Sequence, residues 1–235
     1  VLAQRYVCSK TGIEGPFTEC STEEICTARE LGTPDFAYKP DTSYQYYLNN
    51  WYTQMDLVCT SESKIMMMIT WYFIGTIFVG FLAPLTDRFG RRGTIIYGMT
   101  LTQFSQVLLL FCPTIVGRSI GFFLLGVSNV KNGQCYMWFA ESVPFERRST
   151  TFTVINIVDA SSPLVTGLFY LFVMRDWFPI YMAQFLFSML SLLFAVFSPE
   201  SPRYLILKGR PGEAIKALNY MARVNRSPDR LAPDT

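Results

Sequence analysis

Three short stretches concentrate the residues able to do electrostatic work: "DRFGRR" from Asp87 to Arg92, "ESVPFERR" from Glu141 to Arg148, and "PESPR" from Pro199 to Arg203. Each sets a carboxylate a few residues from an arginine, beside a glycine or proline turn. That chemistry suits charge-assisted hydrogen bonds that hold helix ends in one arrangement and release them in another. The candidate members of such a gating network are Asp87, Arg91, Glu141, Arg148, Glu200 and Arg203. Gly90 fits a tight reversal, because glycine adopts backbone angles closed to other residues. Asp87 is placed to accept hydrogen bonds from Arg148, from Arg91 or from the N-terminus of an adjacent helix. Taken singly, each cluster reads equally well as a basic anchor at a membrane surface.

Other chemistry is scarce. The 235-residue chain has no histidine, which removes the commonest general base and the commonest metal ligand. It presents no nucleophile–base pair, metal-ligand cluster or phosphate-cradling loop, so neither an enzyme nor a cofactor is expected. A net charge of +2 argues against nucleic acid as a partner. Four of the six cysteines, Cys8, Cys20, Cys26 and Cys59, lie in one polar stretch, and their even number suggests two disulfides in an oxidising compartment. Three pairings are possible; Cys8–Cys20 with Cys26–Cys59 closes the simplest loops. A zinc site is the rival reading, against irregular spacing. The only glycosylation acceptor, Asn225-Arg226-Ser227, falls outside that stretch.

The elements that carry these residues follow from hydropathy. Half the residues are hydrophobic and 16% are charged, against about a quarter charged in soluble domains. Residues 7–64 are polar and cysteine-bearing; 65–198 are apolar runs with short charged breaks; 199–235 are polar again. A bilayer span takes roughly 20 apolar residues and must satisfy its own backbone, which selects helices. Five spans are predicted: Ile65–Leu85, Thr94–Cys112, Ile115–Val143, about Thr150–Met174 and Phe178–Phe197. The dense Lys/Arg clusters all fall on one side, which is expected to be cytoplasmic. The cysteine-bearing stretch then faces the other side. The opening "VLAQRY", without an initiator Met, is read as the tail of an earlier span, residues 1–6. In "PGEAIKALNYMARV" a short amphipathic helix is expected, starting at Pro211, with Ile215, Leu218 and Ala222 on one face.

Polar residues inside spans are candidate substrate contacts, because burying them in lipid is costly. Tyr72, Asn132, Tyr136, Asn156 and Asp159 form that set, with Thr76, Asn129 and Lys131 nearby in sequence. Asn132 and Tyr136 lie one turn apart, as do Asn156 and Asp159, and so share faces. Helix–helix hydrogen bonding is the competing role for the asparagines. Lys131 is the natural partner for Asp159.

The order of the three charge clusters resembles the N-terminal half of a major facilitator superfamily transporter, in the organic cation/anion transporter family with its sugar-porter relatives. The similarity covers nearly the whole chain. "DRFGRR" matches the loop between helices 2 and 3, "ESVPFERR" the E-x-x-P-x-x-x-R at helices 4–5, and "PESPRYL" the run after helix 6. The outer loop ending "NNWYTQMDLVCTSES" resembles the organic ion transporters in particular. The resemblance implies an all-α membrane fold, with helices 2–6 of a six-helix half present and helix 1 mostly missing, and with a disulfide-bearing outer loop. It implies alternating access about a midplane site between two halves. Implied partners are a small organic ion, the bilayer, and the C-terminal half of the same transporter or other membrane subunits. The expected location is the plasma membrane, with a mitochondrial or other organelle inner membrane as the alternative. Two positions depart from the family pattern: Ala83 stands where Gly is usual, and Phe122, four residues before Gly126, where Arg is usual. The alternative function is a transporter-derived, non-transporting structural subunit of a larger membrane complex.

Overall fold

The computed structural model describes residues 4–231 except 12, 14, 229 and 230; the side chains at 83, 85 and 87 also lie outside what is described. The chain forms two compact units, residues 1–66 with 163–182, and residues 67–162 with 183–235.

The first unit is built around a three-stranded antiparallel sheet in the order β2-β1-β3. Its strands are β1 (Tyr6–Ser9), β2 (Thr18–Cys20) and β3 (Ala37–Pro40). Between β2 and β3 runs α1 (Thr22–Glu30), whose N-cap Ser21 accepts a hydrogen bond from the Glu24 amide, with Glu23 and Glu24 in the first turn. Tyr6, Cys8, Ile25 and Val58 make the core, with Phe36, Tyr38 and Tyr52 packed on it. So small a core needs covalent help. It comes from two disulfides, Cys8–Cys20 between β1 and β2, and Cys26–Cys59 between α1 and the 3₁₀ turn Leu57–Cys59. The sequential pairing is therefore the one formed. Tyr38 donates to both oxygens of Asp56 at 2.7 and 2.8 Å, and Arg29 approaches the same carboxylate at 3.0 Å. Burial and that carboxylate raise the Tyr38 hydroxyl above its usual pKa. A short helix α2 (Trp51–Gln54) carries a capping box between Asn50 and Thr53. Of the residues read as a helix tail, 1–3 lie outside the described set, Gln4 and Arg5 are non-helical and Tyr6 opens β1. The strand wins there because Tyr6 and Cys8 alternate onto the buried face of the sheet.

The longest helix, α3 (Glu62–Phe111), contains the first two predicted spans and one non-helical residue, Gly90 (φ 84°, ψ 169°), which divides it into two arms. The third predicted span is two helices, α4 (Ile115–Val127) and α5 (Val130–Ser142). At the join Ser128 and Asn129 keep right-handed angles, but Asn129, Lys131 and Asn132 donate to carbonyls three residues back. The helix is thus tightened into a 3₁₀ turn rather than reversed. Then come α6 (Arg148–Phe172), α7 (Trp177–Phe197), α8 (Pro202–Leu207) and α9 (Pro211–Val224). Among the described residues, four segments are long and apolar enough to cross a membrane: Glu62–Leu82, Arg88–Phe111, Phe145–Phe172 and Trp177–Phe197.

In the second unit small residues let helices touch. A side chain on Gly75 would run into the backbone of Phe123 and Gly126, and one on Gly126 into the backbone of Tyr72 and Gly75. This is close backbone approach through paired small residues, as in membrane helix packing. Buried Ser105 donates to the Gly121 carbonyl at 2.6 Å, fixing the second arm of α3 on α4. The amphipathic helix is α9, but its buried face is Ala214 and Ala217, packed with Tyr204 and Leu205 of α8. Leu218 is exposed and Ile215 half-buried. The small alanines win because they let α9 lie close on the short α8.

Candidate functional site

The charge network is assembled across the three clusters rather than within each. Gly90 ends the first arm of α3, and the second arm starts at Arg91 with its first N–H groups lacking intrahelical acceptors. Glu200, far along the chain, supplies the acceptor. Its Oε1 takes the amides of Arg91 (3.1 Å) and Arg92 (3.0 Å) as well as that of Ser201 (2.9 Å). A carboxylate on the N-terminus of a helix is favourable by roughly 0.3–1 kcal/mol, and up to about 2 when partly buried. Gly90 is needed twice. Its positive φ strains other residues, and a Cβ there would collide with the Glu200 carboxylate and crowd the Tyr204 ring.

The network then spreads through Ser201 and Arg91. Ser201 is fully buried, caps α8 by accepting the Tyr204 amide at 3.3 Å, and donates its hydroxyl to Glu141 Oε2. Arg91 lies 3.8 Å from Glu141 Oε1, with only 14% and 7% of the two side chains exposed. Its guanidinium also stacks 5.7 Å over the Tyr204 ring, whose hydroxyl donates to the Arg88 carbonyl at 3.2 Å. Arg91, Glu141 and Glu200 are thus brought together. Arg148 is not joined to them by any described contact: it donates to the Val143 carbonyl at 3.3 Å and stacks on Phe145. Arg203 is exposed, and no ion pair to it exists among the described residues. The Asp87 side chain lies outside the described residues. Ser201 and Tyr204 are the members that charge-based reading missed. Serine before proline at a helix start was the available signal for Ser201.

The intramembrane polar residues fall into two groups. Tyr136 donates to Asp159 Oδ2 at 2.7 Å, and its ring stacks on Phe152 at 6.0 Å. Asn129 donates to the Tyr72 hydroxyl at 3.1 Å and accepts from Asn132 at 3.2 Å. Asn156 bonds back to the Phe152 carbonyl of its own helix at 2.9 Å, while Thr76 does the same with Phe73 at 2.7 Å. The expected Lys131–Asp159 pair does not form. Lys131 instead turns toward the second arm of α3, donating to Thr102 at 2.8 Å and to the Ser128 hydroxyl at 3.3 Å and carbonyl at 3.4 Å. Gly98 leaves room for the lysine stem, since a side chain there would crowd the Lys131 β-carbon. Asp159 is exposed, and Tyr136 is its hydrogen-bond partner among the described residues. Arg118, the nearest arginine to the family's missing position, is buried and donates to the Cys112 carbonyl at 3.0 Å.

Residues 31–232 match the sugar (and other) transporter family. Human organic cation/carnitine transporter 2 is 27% identical over 78% of this chain and 33% of its own length. Solute carrier family 22 member 6-B of Xenopus laevis is 31% identical over 74% of this chain and 32% of itself. Organic anion transporter 3 of Oryctolagus cuniculus is likewise 31% identical, over 74% of this chain and 32% of itself. The chain spans about a third of the length of the curated relatives it matches. With a match over most of its residues and apolar helices on either side of the charge network, the chain belongs to the sugar (and other) transporter family of the major facilitator superfamily, as an integral, multi-pass membrane protein similar to its organic ion transporters.

Proposed function

We propose that this chain forms part of a secondary transporter for small organic ions at the plasma membrane, working by alternating access with the charge network as its cytoplasmic gate. The observation that carries the reading is the capping of one membrane helix by a carboxylate from the far end of the apolar region, Glu200 on the amides of Arg91 and Arg92. A contact of that kind is strong enough to hold helix ends together and weak enough to break within a transport cycle. The relatives named for organic cations, carnitine and organic anions support small organic ions as the substrate class.

In this proposal the substrate meets Tyr72, Asn132, Tyr136, Asn156 and Asp159. The Tyr136–Asp159 pair is the sharpest part, because an exposed carboxylate on a membrane helix is stabilised by a cationic ligand. Asp87 belongs to the same gate in this proposal, and Arg148 enters it in a conformation other than the one described. The test is uptake of a labelled organic cation in cells expressing the full-length protein, with Asp159→Asn and Tyr136→Phe compared at equal surface abundance. Loss of cation uptake in Asp159→Asn, with a smaller defect in Tyr136→Phe, is the expected result. Undiminished uptake in Asp159→Asn removes that residue from the site, and absence of any uptake by the unsubstituted protein favours a non-transporting subunit.

A further inference from the structure

A second site lies beside the gate, in a groove of about 290 Å³ bounded by the second arm of α3, by α5 and by the end of α7. Ile95 and Met99, Trp138 and Phe139, and Phe194 give it apolar walls. Arg92 stands at the charged end, in helical register with Ile95 and Met99. The guanidinium is anchored through Nη2 to the Val196 carbonyl, and among the described residues no carboxylate forms an ion pair with it. The Trp138 indole N–H is buried beside the same groove and meets no acceptor among the described residues. Phe139 and Phe194 are exposed, so the groove opens outward from the helices. An apolar trough ending in an unpaired cation and an aromatic donor is complementary to one kind of membrane component, a chain that ends in an anion.

We propose that this groove seats an anionic phospholipid of the cytoplasmic leaflet, with an acyl chain along Ile95, Met99 and Phe194 and the phosphate on Arg92. The proposal rests on the membrane placement of the chain and not on transport. Headgroup and gate share a residue: Arg92 offers its side chain to the lipid while its amide is held by Glu200. Lipid occupancy therefore restrains the same helix start that the gate restrains. A cysteine in the groove wall makes the site measurable, because Cys135 and Cys112 are the free thiols and Cys112 is not in the lining.

The experiment uses the full-length protein with Cys112→Ser, placed in nanodiscs of phosphatidylcholine alone or mixed with phosphatidylglycerol. Maleimide labelling of Cys135 is expected to slow about threefold or more in the anionic discs, the ratio reporting occupancy. The difference should vanish in Arg92→Gln and return in Arg92→Lys. Should Arg92→Gln fail to fold, Ala195→Trp fills the groove without touching the arginine and should also abolish the lipid dependence. Equal labelling in the two lipid mixtures overturns the proposal, as does a lipid dependence that survives either substitution. Protection by millimolar inorganic phosphate in phosphatidylcholine discs also overturns it, by marking a site for free anions instead.

Discussion

Gly90 is the most constrained position of the charge network, because two independent constraints meet at its α-carbon. Its φ of 84° lies where other residues are strained, and a side chain there would displace Glu200 from the amides it caps. Gly90→Ala is therefore expected to lose roughly 1–2 kcal/mol from backbone strain plus a similar amount from the lost cap. Gly80→Ala, at a helical position with nothing within 4 Å of the added carbon, should be neutral or gain about 0.5–1 kcal/mol. Unfolding of the two variants in detergent checks the contrast; equal effects would mean that Glu200 does not hold the second arm. At this scale the sequence was legible in part. The arginines and carboxylates announced themselves by type, and Glu200 and Glu141 do meet Arg91. The partners did not follow from spacing, because the paired residues lie from 50 to 109 positions apart, a distance at which local pattern carries no information. Lys131 shows the same limit: proximity of opposite charges suggested Asp159, yet three oxygens on Thr102 and Ser128 were closer to hand.

Elements decide which of these contacts are coupled. Ser201 is the joint between α5 and α8, since its hydroxyl bonds Glu141 while its oxygen caps the helix that Pro202 begins. Ser201→Ala should cost about 1 kcal/mol for the cap and leave Glu141 with Arg91 as its remaining described partner. Glu141→Gln removes the ion pair yet keeps an acceptor for Ser201. Because both variants act on one carboxylate, their effects should be non-additive by about 0.5 kcal/mol or more in a double-mutant cycle; strict additivity would show that the serine and the ion pair are independent. The apolar runs foretold helices well, as hydropathy reports the solvent directly. It did not foretell the break at Ser128, where small polar residues bond to their own helix and trade α for 3₁₀ geometry without any change of composition. Nor did it choose the right face of α9, where packing on α8 favoured Ala214 and Ala217 over larger apolar residues.

The whole molecule divides its stability between two chemistries. Residues 1–66 rely on a small core and two disulfides, and the larger helical unit relies on small-residue contacts and the charge network. Cys26–Cys59 spans 33 residues, and losing such a loop closure typically costs about 2–4 kcal/mol. Cys26→Ser with Cys59→Ser should therefore make the segment 20–60 protease-sensitive while the helical unit keeps its fold; loss of both together would show that the units fold as one. The fold class and the cysteine count were open to sequence reading, while the disulfide pairing needed the sheet that brings Cys8 against Cys20. We propose that the network around Glu200 sets the occupancy of transport states. The direct measurement is uptake of a labelled organic ion by the full-length protein and by Glu200→Gln, matched for surface abundance. A shift of about 1.4 kcal/mol changes a two-state ratio tenfold, so uptake should change several-fold while surface abundance stays the same. Identical uptake in the two proteins, at equal abundance, would show that Glu200 does not bias the transport states.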